Sequence, residues 1–235
     1  MAEKTALYLL PGLLCDETVW RHQVQHLADV ADVTVADYRD CDAIPDMAAR
    51  VLEQAPSRFA VAGHSLGGRV ALEIVRAAPE RVTRLALLDT ATGPARDSEY
   101  EKRTGWVELA RREGMVALVQ AWLPPMVHPD RIIDEQLMQP LAAMIQGYTL
   151  EQFAGEIRAL LQRPDATPVL ASIRCPTLVL CGRQDSWSTL EGHEKIAAAI
   201  RGSRLVIIEA CGHMSPIEQP QAVTSALRDW LHSAG

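Results

Sequence analysis

Apolar residues in this chain gather into short unbroken runs, separated by longer stretches in which they recur every third or fourth position. Ala6–Leu10, Val33–Ala36, Phe59–Ala62, Val82–Leu88, Thr177–Cys181 and Arg204–Ile208 are the runs. Most are apolar throughout instead of alternating, the pattern of parallel strands covered by helices on both faces. Between them, Trp20, Val24 and Leu27 keep helical spacing, as do Val70, Ile74 and Ala77, and near the end Val223, Leu227, Trp230 and Leu231. Strand–helix–strand alternation of this kind predicts right-handed crossovers and a doubly wound, mostly parallel α/β sheet of about six strands.

One region breaks the rhythm. Residues 93–168 contain no strand pattern and instead offer helical segments at Ser98–Arg112, Met115–Trp122, Arg131–Gln146 and Leu150–Leu161, punctuated by Gly114, Pro124, Pro125, Gly147 and Pro164. A helical insertion between strands of a parallel sheet sits over the carboxyl edge, where ligands bind. The expected organisation is a single domain, 1–235, with a core of 1–92 and 169–235 and a helical cap of 93–168.

Composition narrows the function classes. The 235 residues are 48% hydrophobic and 23% charged with a formal net charge of -7, ordinary values for a globular chain that buries a large core. The acidic balance and the lack of a basic stripe argue against nucleic-acid partners. The apolar run near the start, Ala6 to Pro11, is too short for a signal-peptide core, and no stretch approaches a bilayer span, so a cytoplasmic location and no membrane partner are expected. Oligomeric state is not legible. The five cysteines (Cys15, Cys41, Cys175, Cys181 and Cys211) are odd in number and irregular in spacing, which reads as buried thiols and neither a disulfide framework nor a zinc site. Cys15 and Cys211 lie near enough to the motifs below for modification by an electrophile to be conceivable. His22 and His26 sit one turn apart but have no third ligand in view, so no metal is expected.

The chemistry begins at Gly63-His64-Ser65-Leu66-Gly67, which joins the run Phe59–Ala62 directly to the helical pattern that follows. G-x-S-x-G between strand and helix is the nucleophile-elbow arrangement: a sharp turn strains the central residue, and the flanking glycines let the chain approach itself. Ser65 is the candidate nucleophile, at a helix N-terminus that favours developing negative charge. Neither G-x-x-x-x-G-K-[ST] nor G-x-G-x-x-G is present, so a phosphate-binding turn is the poorer reading.

With these residues in hand, the chain resembles the α/β-hydrolase superfamily, in the family's order along nearly its whole length. The resemblance implies a triad of nucleophile, acid and histidine. Thr177–Asp185 resembles the strand and loop that deliver the acid, and Gly212-His213-Met214-Ser215-Pro216 the loop that delivers the histidine, so Asp185 and His213 join Ser65. A serine hydroxyl needs a base at neutral pH; His213 can supply it and Asp185 can fix its tautomer. Asp89, at the end of Val82–Leu88, is a second possible acid, because some relatives place it there. Relatives carry His-Gly after the first strand and draw one oxyanion donor from the next residue. Here Pro11-Gly12 keeps only the glycine, so the resemblance implies Leu13 N–H and Leu66 N–H as the donors and puts the rigidity of that loop in doubt. The family's opening hairpin is expected to be missing.

The expected substrate is a small molecule and no cofactor is required. Leu14, Trp187 and Met214 beside the catalytic positions, with Trp106 and Trp122 from the insertion, are the candidate pocket wall, and Met115, Met126 and Met144 are further possibilities. Arg103, Arg111, Arg112, Arg131 and Arg158 could hold an acidic substrate but read more simply as solvated helix faces. The expected activity is hydrolysis of a carboxylic ester, thioester or lactone through an acyl-serine. The rivals are a carbon–carbon bond hydrolase or lyase using the same triad, and a non-catalytic small-ligand receptor on the fold.

Overall fold

The computed structural model of the chain describes residues 4–233; the extreme ends of the expected 1–235 domain, 1–3 and 234–235, lie outside the described residues. Six strands form one sheet in the order β2-β1-β3-β4-β5-β6, and every neighbouring pair is parallel. They are β1 Thr5–Leu10, β2 Ala31–Val35, β3 Phe59–His64, β4 Val82–Leu88, β5 Thr177–Gly182 and β6 Arg204–Ile208. The central β3 and β5 are buried at every position, whereas β2 and β6, at the two edges, keep exposed residues. That is why the interior strands read as continuous apolar runs. It is also why β2, half in solvent, begins two residues before the run that announced it.

The helices are α1 Arg21–Leu27, α2 Ile44–Gln54, α3 Leu66–Ala77, α4 Asp97–Trp122, α5 Glu135–Gln146, α6 Leu150–Leu161, α7 Thr167–Leu170, α8 Leu190–Ala199, α9 Ser215–Glu218 and α10 Pro220–His232. Sequence reading placed nothing at α2, although Ile44, Met47, Ala48 and Val51 form its buried stripe at helical spacing. The helix opens at Pro45, a residue read more readily as a breaker than as a first-turn former. In the insertion, α4 is broken at Gly114, whose φ of 84° no helix admits, so two helices meet there as the glycine suggested. The segment expected from Arg131 starts as a helix only at Glu135, because Asp134 caps it by accepting from the N–H of Gln136 and Leu137.

All six strands point the same way, so their carboxyl ends share one edge. The loops that leave β1, β3, β5 and β6 carry Leu13, Ser65, Asp185 and His213 respectively, and Asp89 follows β4 directly. Residues far apart in the chain are thereby brought to one crevice.

Candidate active site

The β3 strand ends at His64 and α3 starts at Leu66, which leaves Ser65 alone at the turn with φ 54° and ψ −113°. Such a conformation costs an L-residue about 1–3 kcal/mol and persists only where the surroundings impose it. They do so through three bonds: Ser65 N–H donates to Leu88 O at 2.9 Å, and Ser65 O accepts from Gly68 N–H at 3.0 Å and Thr90 Oγ1 at 2.7 Å. The glycines are obligatory. A Cβ on Gly63 would lie 2.2 Å from Gly67 O, and one on Gly67 would lie 2.1 Å from Leu10 O.

From Ser65 a hydrogen-bonded relay runs inward. Ser65 Oγ lies 2.8 Å from His213 Nε2, and His213 Nδ1 lies 2.8 Å from Asp185 Oδ2. The second carboxylate oxygen of Asp185 accepts from Trp187 N–H at 2.8 Å and Ser188 N–H at 2.9 Å, so the carboxylate is fixed from both sides. Burial pushes the His213 imidazole down, but the Asp185 charge and hydrogen bond, with Asp89 behind them, outweigh it and hold His213 above the ordinary histidine value. Burial pushes Asp185 up, and the same contact with His213, joined by the two backbone N–H groups, carries it below the usual carboxylate range.

Asp89, the other candidate acid, does not bond the ring. It accepts from Gly182 N–H at 2.9 Å and from the Ser215 hydroxyl. Burial first, and the nearby Asp185 charge second, push it well above the carboxylate range. It therefore braces the ends of β4 and β5 and the start of α9 as a buried acid.

The loop carrying His213 is held by groups the sequence did not single out. His64, the variable residue before the nucleophile, donates Nε2–H to His213 O at 2.8 Å. Burial, then the neighbouring His213, pushes His64 down to about 3, so it stays neutral. His213 N–H donates to Met126 O at 2.8 Å. Glu218 Oε1 accepts from Gly212 N–H at 3.0 Å and Met214 N–H at 3.1 Å, while its Oε2 accepts from His128 N–H at 2.7 Å. One buried carboxyl thus ties the histidine loop to the inserted segment.

The loop after β1 is stapled in a similar way. Tyr38 Oη donates to Pro11 O, Tyr148 Oη donates to Cys15 O, and Leu14 N–H donates to Glu156 Oε2 at 2.8 Å. Leu14 itself stands at φ 57°. Glu156 lies in α6, and burial pushes its carboxyl up to about 8 against the Leu14 hydrogen bond that would lower it. These three side chains supply the rigidity that the missing histidine put in doubt. The N–H groups of Leu13 and Leu66 donate to no acceptor among the described residues, and both residues line the same cavity as Ser65. Only the proximity of Leu14 to a cap glutamate, invisible in sequence, could have indicated Glu156.

That cavity encloses about 750 Å³ between the strand ends and the insertion. Trp106, Trp122, Trp187 and Met214 line it, as does Met126. Leu14 does not: its backbone turns it away from the cavity, and it is fully buried in the core. Met115 and Met144 are also absent from the wall, Met144 lying behind the Asp16 N–H. Of the five arginines read as solvated, Arg111 and Arg112 pair with exposed glutamates, Arg131 with Asp134, and Arg158 with Asp42. Arg103 departs from that reading and lines the cavity, as does Arg69, which the sequence did not single out. All five cysteines are free, and burial pushes the Cys15 and Cys211 thiols far up, which removes their reactivity as thiolates. Among the described residues no three His, Cys, Asp or Glu side chains form a group that could hold a metal, and no helix is long and apolar enough to cross a membrane.

Comparison with known proteins gives the chain a family. A family model described as the alpha/beta hydrolase family matches residues 7–226. The chain is similar to 3-oxoadipate enol-lactonase 2 of Acinetobacter baylyi, 26% identical over 96% of this chain and 88% of that one. Among solved structures it is similar to the enol-lactonase from Burkholderia xenovorans, with TM-score 0.90 and 26% identity over 99% of this chain and 93% of that one. It is also similar to a thermophilic esterase from Thermogutta terrifontis, with TM-score 0.88 and 28% identity over 97% and 91% of the two chains.

Proposed function

The chain belongs to the alpha/beta hydrolase family, and from that premise we propose that it is a serine hydrolase that cleaves a small carboxylic ester, thioester or lactone through an acyl-Ser65 intermediate. The observation that carries the reading is the continuous relay Ser65–His213–Asp185, with both links at 2.8 Å, on a strained turn facing a large cavity. Relatives named as esterase and enol-lactonase support the ester and lactone reading, and others of similar identity, named as 2-hydroxy-6-oxononadienedioate hydrolases, support the carbon–carbon alternative, so the choice between the two falls to the test below.

The steps follow from the positions of the groups. Ser65 Oγ attacks the acyl carbon as His213 Nε2 takes its proton, and the carbonyl electron pair moves to oxygen. That oxyanion faces the Leu13 and Leu66 N–H groups, where each donor is worth about 2.7–4 kcal/mol in the transition state. Asp185 keeps the Nδ1 proton in place and stabilises the imidazolium. Collapse breaks the bond to the leaving oxygen or sulfur, which takes the proton from His213. Water then attacks the acyl-serine with His213 again as base, releasing the acid and restoring Ser65. In a lactone the leaving oxygen stays tethered to the acyl group. Trp106, Trp122, Trp187 and Met214 supply the apolar wall.

The test is a series of p-nitrophenyl esters of increasing chain length, run beside Ser65→Ala and beside labelling by a fluorophosphonate. The expected result is turnover and labelling of the native protein and neither in the variant. Retention of more than about a hundredth of the activity by Ser65→Ala would overturn the reading, since triad knock-outs typically cost far more.

A further inference from the structure

We propose that the substrate bears a free carboxylate, held by Arg69 and Arg103, so that the bond cleaved belongs to an acidic ester or lactone; the inference rests on the hydrolytic reading of Ser65 above.

The chain as a whole is acidic, at -7, yet the wall of this cavity is the reverse. Arg69, Arg96, Lys102, Arg103 and Arg163 line it, against Glu99 as the one carboxylate among its lining residues. These cations are not equivalent. Arg163 is spent: its nitrogens donate to Gly93 O, Pro94 O and Leu160 O and to both oxygens of Glu99, so it is a strut between the start of α4 and the end of α6. Lys102 is engaged by aromatic faces, its Nζ 4.0 Å from the Trp187 ring centre and 5.1 Å from that of Trp106.

Of the three remaining arginines Arg96 is exposed to solvent, and the less exposed Arg69 and Arg103 keep donors in hand. Arg103 uses Nε on Glu99 at 3.2 Å, an oxygen that Arg163 already shares, and neither of its Nη groups has an acceptor among the described residues. Arg69 makes one bond, Nη1 to Gly93 O at 3.0 Å, and no ion pair among the described residues. Burial lowers both, Arg69 to about 9. Arg69 is thus a partly desolvated cation without an ion-pair partner among the described residues, and Arg103 shares its one carboxylate, Glu99, with Arg163; such cations are costly, and chains retain them where a ligand brings further negative charge. A third donor points to the same conclusion: Trp122 Nε1–H, in a residue that is 3% exposed and lines this cavity, has no acceptor among the described residues.

The planar guanidinium fork matches a carboxylate with two parallel hydrogen bonds, which a lysine cannot do. Arg69 stands on α3 four residues after the cap residue Ser65, about 6 Å along the axis at the helical rise. The acid group therefore sits within a short carbon chain of the bond that is cut. Arg103 reaches the same cavity from α4, so the two guanidinium groups come from different helices.

The experiment compares mono-p-nitrophenyl esters of succinic, glutaric and adipic acids with p-nitrophenyl butyrate, valerate and hexanoate, after subtracting enzyme-free rates, which a neighbouring carboxylate accelerates. For at least one chain length the acidic ester should be preferred in kcat/KM by about tenfold or more, chiefly through KM, and the preference should shrink with added salt. Arg69→Gln and Arg103→Gln should each lower the acidic-to-neutral ratio by about tenfold or more, Arg69→Lys should restore part of it, and Arg111→Gln should leave it unchanged. A ratio near or below one, or one that survives both glutamine variants, overturns the proposal. A second arm needs no turnover. In the Ser65→Ala protein, glutarate or adipate should raise Tm, and adding Arg103→Gln should abolish the rise. If no ester of any kind is turned over while this shift persists, the hydrolytic reading has failed and the carboxylate site stands. If esters are turned over with neither ratio nor shift, the site has failed alone. Inorganic phosphate protecting better than every dicarboxylate also overturns it.

Discussion

The two ends of the cavity are built differently. At the strand edge each polar group of the Ser65–His213–Asp185 relay has its protein partner, and His64 Nε2, Glu218 and Asp89 are likewise bonded on to backbone; His64 Nδ1 and the Leu13 and Leu66 N–H groups have no partner among the described residues. Farther along the cavity, Arg69 of α3 and Arg103 of α4 retain unused donors, and Trp122 Nε1–H has no acceptor among the described residues. A bonded relay holds a geometry; unused donors in a partly desolvated wall are placed for something that arrives. The first end suits a bond-breaking step that tolerates little movement, the second suits recognition.

The largest expected effect breaks the relay end. Asp185→Asn should lower kcat by about ten-thousandfold, because the amide presents the wrong partner to His213 Nδ1. Asp89→Asn, which alters a carboxyl that touches Gly182 and Ser215 and not the ring, should retain far more of the activity. Equal losses in the two variants would mean that the acid has been misassigned.

Next in size is the oxyanion loop. Glu156→Ala removes the acceptor from a buried Leu14 N–H, a loss of about 1–3 kcal/mol that steady-state kinetics should show as a roughly tenfold to hundredfold drop in kcat/KM. Glu156→Gln keeps an acceptor and should remain within a few-fold of native. It should also flatten the pH dependence of stability. Native Glu156 titrates near 8 when folded and near 4.5 when unfolded, so the folded chain holds a proton that the unfolded chain releases, and stability falls as pH rises through that window. Thermal melts from pH 5 to 8 should show Tm declining less in the glutamine variant than in the native protein.

The pH profile of kcat/KM sharpens the same end. Catalysis needs neutral His213, whose value is held above 6.5, so the rate should rise along a limb centred above that pH. A rate that stays flat down to pH 5 would exclude this histidine as the base. The smallest effect belongs outside both ends: Arg111→Ala, on an exposed pair with Glu108, should change ester turnover less than twofold and Tm by about a degree or less.

Much of the strand edge was legible because its signals are local. The run Phe59–Ala62, the flanking Gly63 and Gly67 and the helical spacing after Leu66 all report on the elbow itself, and all six strands announced themselves as apolar runs. Where they were misread the reason is physical. The stripe of α2 is present in the sequence but opens at a proline, and β2 is half exposed and so only half apolar. Leu14 looked like pocket wall because it neighbours Leu13, whereas a positive φ reverses its direction. Arg103 looked like four other surface arginines, since helical spacing alone does not say which face of a long, kinked helix is covered.

By itself, then, the sequence determined the strand order of events along the chain, the residue at the turn and the kind of turn it had to be, because each depends on steric and apolar patterns within a few positions. Which carboxyl meets His213, that Glu156 from α6 steadies the loop after β1, and that two arginines face inward with their donors unused were decided only by the tertiary structure. Those facts depend on contacts between segments many residues apart, where direction and burial, and not residue type, set whether a charge is solvated, paired or waiting for a ligand.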